Sequence, residues 1–188
     1  DQIINEDDPT APLPFVIGDV ETAITSLTVT ASSSNVALVP NANIVLDGSG
    51  ANHTIQVTPL PNQFGTTVIT VNVNDGVNIV PTTFQVTVSS VNDLPTITAI
   101  VDQTINEDIA TPALGITVGD VETAVTALTV TVSSDNTLLI PNANVVISGS
   151  GANRTVTVTP ASNQNGIANI TLTVNDGTTG TPITFLVT

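Results

Sequence analysis

The chain repeats itself without a gap. Asp1-Gln2 and Ile4-Asn5-Glu6-Asp7 return as Asp102-Gln103 and Ile105-Asn106-Glu107-Asp108. Gly18-Asp19-Val20-Glu21-Thr22-Ala23 returns as Gly119-Asp120-Val121-Glu122-Thr123-Ala124, and Asn74-Asp75-Gly76 as Asn175-Asp176-Gly177. Every pair lies 101 positions apart, and more than half of the overlapping positions are identical. Such a repeat restricts the fold to two tandem copies of one module. Each copy has about 94 residues, enough for its own core in the size range of a β-sandwich. The stretch Val91-Asn92-Asp93-Leu94-Pro95 falls between the copies and reads as their junction, so the expected domains are residues 1–93 and 94–188. The first copy opens at the match of Asp102 and is expected to lack the start of its first strand. With no signal peptide visible, the sequence reads as an interior piece of a longer chain.

Each module is expected to be all-β. In Leu128-Thr129-Val130-Thr131-Val132, Thr155-Val156-Thr157-Val158-Thr159 and Ile170-Thr171-Leu172-Thr173-Val174 the apolar residues alternate with threonine. A period of two puts the aliphatic side chains on one sheet face and the hydroxyls on the other. No segment carries apolar residues at helical spacing. Turn signals divide the second copy into seven strands. Strand A is expected over 95–100 and on to Ile105, B over 113–118, C over 125–133 and D over 142–148. Strand E follows over 154–159, F over 167–174 and G over 183–187. Seven antiparallel strands at this spacing predict an immunoglobulin-like sandwich. Its core is aliphatic, with Phe84 and Phe185 as matched aromatic members, whereas Phe15 and Phe64 have no aromatic counterpart in the second copy.

Sixteen acidic residues face one base, Arg154, for a net charge of −15. Nucleic acid and anionic membrane surfaces both require a positive patch and are excluded as partners. No apolar run approaches the length of a membrane span. There is no cysteine, so no disulfide holds the modules. The low lysine content and the Thr, Asn and Ser surface suggest a secreted, bacterial protein.

Strand direction decides which loops meet. The A–B and E–F loops of the first module, with Glu6 and Asn62-Gln63, are expected beside the junction. So are the B–C and F–G loops of the second, with Asp120, Glu122 and Asp176. These acids would converge on Asn92 and Asp93. Crowded carboxylates repel one another unless a cation joins them. Oxygen ligands without His or Cys select Ca²⁺ over zinc, copper or iron, and Mg²⁺ fits less well because it demands a tight octahedron. A single acid at a loop end can simply be solvated, and Asp-Gly is a common turn pair; the whole converging set favours Ca²⁺. Asp19, Glu21 and Asp75 at one end of the chain, and Glu107 at the other, would form incomplete versions of the same site.

These motifs resemble the cadherin-like tandem repeats of large bacterial surface proteins and adhesins, over the whole chain. Val91-Asn92-Asp93-Leu94-Pro95 is similar to the linker of that family, and Asn5-Glu6-Asp7 to its acidic A–B segment. Asp120-Val121-Glu122 takes the place of its Asp-x-Asp motif, and Asn175-Asp176-Gly177 that of its F–G motif. The resemblance implies a structural role: an extended, Ca²⁺-rigidified, monomeric stalk of a secreted or surface-anchored adhesin. Its partners would be neighbouring repeats, with cell-surface carbohydrate or protein engaged through other domains. The E–F loop departs from the family, with Asn62-Gln63-Phe64-Gly65 in place of an acidic motif, which implies only one or two ions per junction. A ligand-binding module for carbohydrate or for another cell's copy of itself is the competing function.

Enzymatic readings find little support. His53 is the only histidine, and Arg154 stands in its place in the second copy. A glycosidase carboxylate pair would lack the usual stacking platform, since Trp and Tyr are absent. Gly48-Ser49-Gly50 has no following Lys or helix and reads as a hairpin turn rather than a phosphate loop. The Thr-x-Thr rows read as ordinary solvent faces rather than an ice-binding surface. The sequons at Asn52, Asn153 and Asn169 are expected to be unmodified in a bacterial protein.

Overall fold

The computed structural model describes residues 1–188, and contacts divide them into two compact units, Asp1–Val91 and Asn92–Thr188. The first unit contains β1 (Gln2–Asn5), β2 (Leu13–Val16), β3 (Thr28–Ser33), β4 (Ile44–Ser49), β5 (Asn52–Val57), β6 (Gly65–Asn74) and β7 (Ile79–Ser89). They form a four-stranded sheet in the order β1-β7-β6-β3 and a three-stranded one in the order β2-β5-β4. All pairings are antiparallel except β1 with β7, which is parallel from Gln2↔Val86 to Asn5↔Ser89.

The second unit contains β8 (Thr96–Ile97), β9 (Leu114–Gly119), β10 (Thr129–Ser134), β11 (Val145–Gly149), β12 (Asn153–Val158), β13 (Ala168–Asn175) and β14 (Gly180–Val187). Its sheets run β11-β12-β9-β8 and β10-β13-β14. This division of seven strands into four and three is the constant-type immunoglobulin arrangement, as the periodicity predicts. No helix is long and apolar enough to cross a membrane.

The alternation read from the sequence is what builds both cores. Along β13 Ala168, Ile170, Leu172 and Val174 are buried, while the intervening Asn169, Thr171 and Thr173 are not. Val156 and Val158 of β12 close the cluster from the other sheet, and Phe185 of β14 fills its centre. In the first unit Ile55, Val57, Ile69, Val71, Val86 and Val88 do the same, with Phe84 only partly buried. Fully burying one such side chain contributes about 1.5–3 kcal/mol. Phe15 packs at the edge of that core, stacked on His53 with ring centroids 5.6 Å apart, and Phe64 is half exposed.

Several strand limits differ from the expected ones. Strand A is not continuous to Ile105. β8 ends at Ile97, and the chain then crosses to the other sheet, where Gln103 bridges Val187 in parallel. The intervening Ile100-Val101-Asp102 has no partner strand to extend along. Strand C starts at Thr129 rather than 125, because the Ala127 N–H turns back onto the Ala124 carbonyl. A 3-10 turn over Asn142–Asn144 occupies the expected start of strand D. Strand G begins earlier, at Gly180, since the turn after Asn175 closes within a few residues.

Two buried threonines hold the matching A–B segments in place. Thr10 Oγ1 accepts the Val57 N–H at 3.0 Å, and Thr111 Oγ1 accepts the Val158 N–H at 3.0 Å. Beside them, Asp7 and Asp108 adopt left-handed backbone, as do Asn62 and Asn163. Asp7 accepts the Asn62 N–H and Asp108 the Asn163 N–H, so in each unit the A–B and E–F loops are clasped together. One glycine is indispensable in the β4–β5 hairpin: Gly48 has φ +109°, and a Cβ there would sit 2.3 Å from the Asn52 carbonyl oxygen.

Candidate metal centre

In the second unit the acidic residues follow directly from strand ends. β9 runs out at Gly119, and Asp120 then folds the chain on itself. Its Oδ1 accepts the N–H groups of Glu122 at 3.0 Å and Thr123 at 2.6 Å, which is the local habit of an Asx turn. The same turn directs Oδ2 inward, where it is buried without a hydrogen-bond partner. Glu122 Oε2 accepts the Asp93 N–H at 2.9 Å, tying the start of the unit to the B–C loop. Glu122 Oε1 is buried with no partner.

Asp176 stands at the end of β13 and is bonded differently. Its Oδ1 accepts the N–H groups of Thr178 and Thr179, both at 2.6 Å, and its Oδ2 accepts from the Thr179 hydroxyl and from the Asn92 amide at 2.8 Å. The Thr179 N–H, followed by the Asn92 amide, holds its carboxyl well below the usual carboxylate range. Asn92 also donates to the Asp93 carbonyl at 2.7 Å. Asp176 therefore anchors Asn92, and the oxygens left without donors belong to Asp120 and Glu122.

At the base of the first unit Glu6 is 4 % exposed. Its N–H donates to the Ser89 carbonyl, and its Oε1 accepts the Val91 N–H at 2.6 Å. Oε2 is buried with no hydrogen-bond partner. Val91 is the last residue of this unit, so Glu6 grips the chain immediately before Asn92. Asn62, a candidate ligand in the E–F loop, instead gives its backbone to the clasp with Asp7, and the Gln63 amide donates to the Asn62 carbonyl.

The repeat supplies an internal control. Asp19 makes the same turn as Asp120, accepting from Glu21 at 2.9 Å and Thr22 at 2.6 Å, yet Asp19 and Glu21 are exposed. Asp75 accepts from Val77 and Asn78, and the Asn78 N–H before the Val77 one lowers its pKa. Glu107, the match of Glu6, is exposed. Identical loop chemistry thus yields buried carboxylate oxygens without donors at Glu6, Asp120 and Glu122 and none at Asp19, Glu21, Asp75 or Glu107.

An ionised carboxylate only accepts, and burying an acceptor with no donor costs about 1–3 kcal/mol, more when it is charged. The chain's single strong base does not answer them. Arg154 donates through Nη2 to the carbonyls of Val125 and Leu128, at 2.9 and 2.8 Å, and through Nε to the Gly151 carbonyl. It thereby fixes the B–C loop that carries Asp120 and Glu122. Sequence reasoning missed this role, although a signal existed: His53 at the matched place bonds the carbonyl of Gly50, the match of Gly151. The Thr179 hydroxyl on Asp176 was missed as well. The oxygen-only donor set, with no Cys and one distant His, fits a hard divalent cation.

Two sandwiches of constant-type topology define the class: a tandem immunoglobulin-like protein. The family model described as Bacterial Ig domain matches residues 92–188, more than half of the chain, and the chain belongs to that family. Comparison with curated proteins gave no match. Among solved structures, the chain is similar to an endo-fucoidan hydrolase of glycoside hydrolase family 107, at 19% identity over 99% of this chain, with a TM-score of 0.40. It spans only 27% of that hydrolase. It is also similar to titin domains Z1Z2 solved in complex with telethonin, at 11% identity over 99% of this chain and 91% of that one, with a TM-score of 0.43. Domains 4 and 5 of the S-layer protein SbsC align at 24% identity over 89% and 72% of the respective chains, with a TM-score of 0.37.

Proposed function

We propose that this chain is a Ca²⁺-rigidified spacer of a secreted or surface-anchored bacterial protein, a non-catalytic length of adhesin stalk. The observation that carries the reading is the set of buried carboxylate oxygens without donors on Glu6, Asp120 and Glu122, absent from their exposed repeat matches. In this reading Asp120 and Glu122 are the first ligands of the ion, with Asp93 beside them. Glu6 joins through chain connectivity, because the Val91 amide it holds directly precedes Asn92 and Asp93. Asp176 serves by holding Asn92. The ion would supply positive charge to oxygens that nothing else in the chain neutralises. It would also tie the linker to both acidic loops, as the resemblance to cadherin-like repeats implies. Membership of the bacterial Ig family supports a surface location, and the net charge of −15 argues against nucleic-acid or anionic-membrane partners.

Calorimetric titration of the metal-free chain with Ca²⁺, paired with small-angle scattering with and without chelator, tests the reading. Saturable binding together with a fall in maximum dimension on chelation is the expected result. An unchanged dimension together with an unchanged melting temperature would refute it.

A further inference from the structure

The two units differ at one sheet edge, and the repeat shows what the difference is. In the second unit β8 borders β9, pairing Thr96 with Gly119 and Ile97 with Val118. The Thr98 N–H extends the contact to the Thr117 carbonyl at 3.0 Å, and the Thr117 N–H returns to Thr98 Oγ1 at 2.9 Å. Ile97 and Ile100 pack onto the core. Beneath them Val118, Leu172, Val174 and Phe185 are at most 2 % exposed.

In the first unit the matching residues are Ile17, Val71, Val73 and Phe84, and β2 is left at the edge of its sheet. Val73 and Phe84 are only half-buried, and Val16 is 73 % exposed. An apolar cleft of about 270 Å³ opens there, with Leu13, Phe15, Ile17, Val71, Val73 and Phe84 among its walls.

We propose that this cleft accepts an added β-strand with the side-chain pattern of Thr96–Ile100, presented by a polypeptide outside these 188 residues and paired antiparallel along β2 and Ile17. Three observations determine the occupant. The repeat supplies its sequence pattern and register, because Thr96-Ile97-Thr98-Ala99-Ile100 covers the same ground in the second unit. The edge supplies backbone hydrogen-bonding groups of the kind that bind strands by β-addition, while the cleft selects apolar side chains. The first unit contains no Lys or Arg, so an acidic strand is disfavoured and a neutral one accepted. The inference does not depend on the metal reading.

The test adds a capped peptide of residues 94–101 to the isotope-labelled full chain and follows methyl and amide resonances. Saturable one-to-one binding is expected, with shifts at Val16, Val73 and Phe84 but not at their matches Thr117, Val174 and Phe185. Melting of the first unit should rise by about 5 °C or more at saturation. A peptide carrying Ile97→Asp and Ile100→Asp should bind at least tenfold more weakly. Thr82→Trp, an exposed position lining the cleft, should abolish binding while leaving the melting temperature of the free chain unchanged. No shifts at millimolar peptide, or equal binding of the Asp peptide, would overturn the proposal. So would the same residues shifting with protein concentration alone, which would assign the cleft to a second copy.

Discussion

Replacing Asp120 by Asn separates the two duties of that side chain. Oδ1, which accepts from Glu122 and Thr123, survives in the amide, so the turn should form as before. Oδ2, buried and without a donor, becomes an NH₂ group that repels a cation. Without Ca²⁺, Asp120→Asn should therefore melt at the wild-type temperature or slightly above, because one buried charge near Glu122 is gone. With Ca²⁺ the order reverses. At about 10 mM ion and a dissociation constant near 10⁻⁴ M, usual for extracellular modules, binding stabilises the wild type by about 2.7 kcal/mol. For a domain of this size that corresponds to roughly 10 °C or more in Tm. If losing the charged ligand weakens binding about a hundredfold, the remaining increment is about 0.4 kcal/mol. Asp19→Asn makes the same chemical change in the same turn where no buried oxygen waits, and its Ca²⁺ response should equal that of the wild type. Differential scanning calorimetry of the three proteins in chelator, in Ca²⁺ and in Mg²⁺ at matched ionic strength decides the matter. Equal Ca²⁺ increments for wild type and Asp120→Asn would refute the assignment of Oδ2 as a ligand, and no increment in the wild type would refute the site.

Arg154→Met keeps the apolar stem but removes the donors to Val125, Leu128 and Gly151; it should cost about 1–3 kcal/mol in chemical denaturation and lower Ca²⁺ affinity by loosening the B–C loop. Thr111→Val leaves the buried Val158 N–H without its side-chain acceptor and should cost a similar amount, with Thr10→Val matching it in the first unit. Asp75, Asp135 and Asp176 all have lowered pKa values, caused first by the Asn78 N–H, the Asn169 amide and the Thr179 N–H respectively. Each stabilises the fold fully above the ordinary aspartate pKa of about 3.9, and that contribution is lost as pH falls through the lower folded value. Urea midpoints should thus decline below about pH 4, less steeply in Asp176→Asn. Gly48→Ala should destabilise more than Gly149→Ala, because the nearest backbone atom to the added Cβ lies at 2.3 Å in one and 3.0 Å in the other; thermal melts of the two variants give the comparison.

The order of strands, their inward faces and the pairing of the two modules are written in local sequence. Ile170-Thr171-Leu172-Thr173-Val174 can bury one face only as a strand, and an ungapped repeat obliges both modules to share a topology. The Asx turns at Asp19 and Asp120 are equally local, which is why both copies make them with the same bonds. Other features belong to the tertiary structure. Strand A breaks after Ile97 because it must change sheets to reach Val187, a demand set by a strand ninety positions away. Nothing in the neighbourhood of Arg154 announces that its guanidinium will meet the carbonyls of Val125 and Leu128. Most of all, Asp19 and Asp120 are indistinguishable in sequence context and in turn geometry. One carboxylate is left in solvent and the other keeps an oxygen buried without a donor, because burial is a property of what packs over a loop and not of the loop itself.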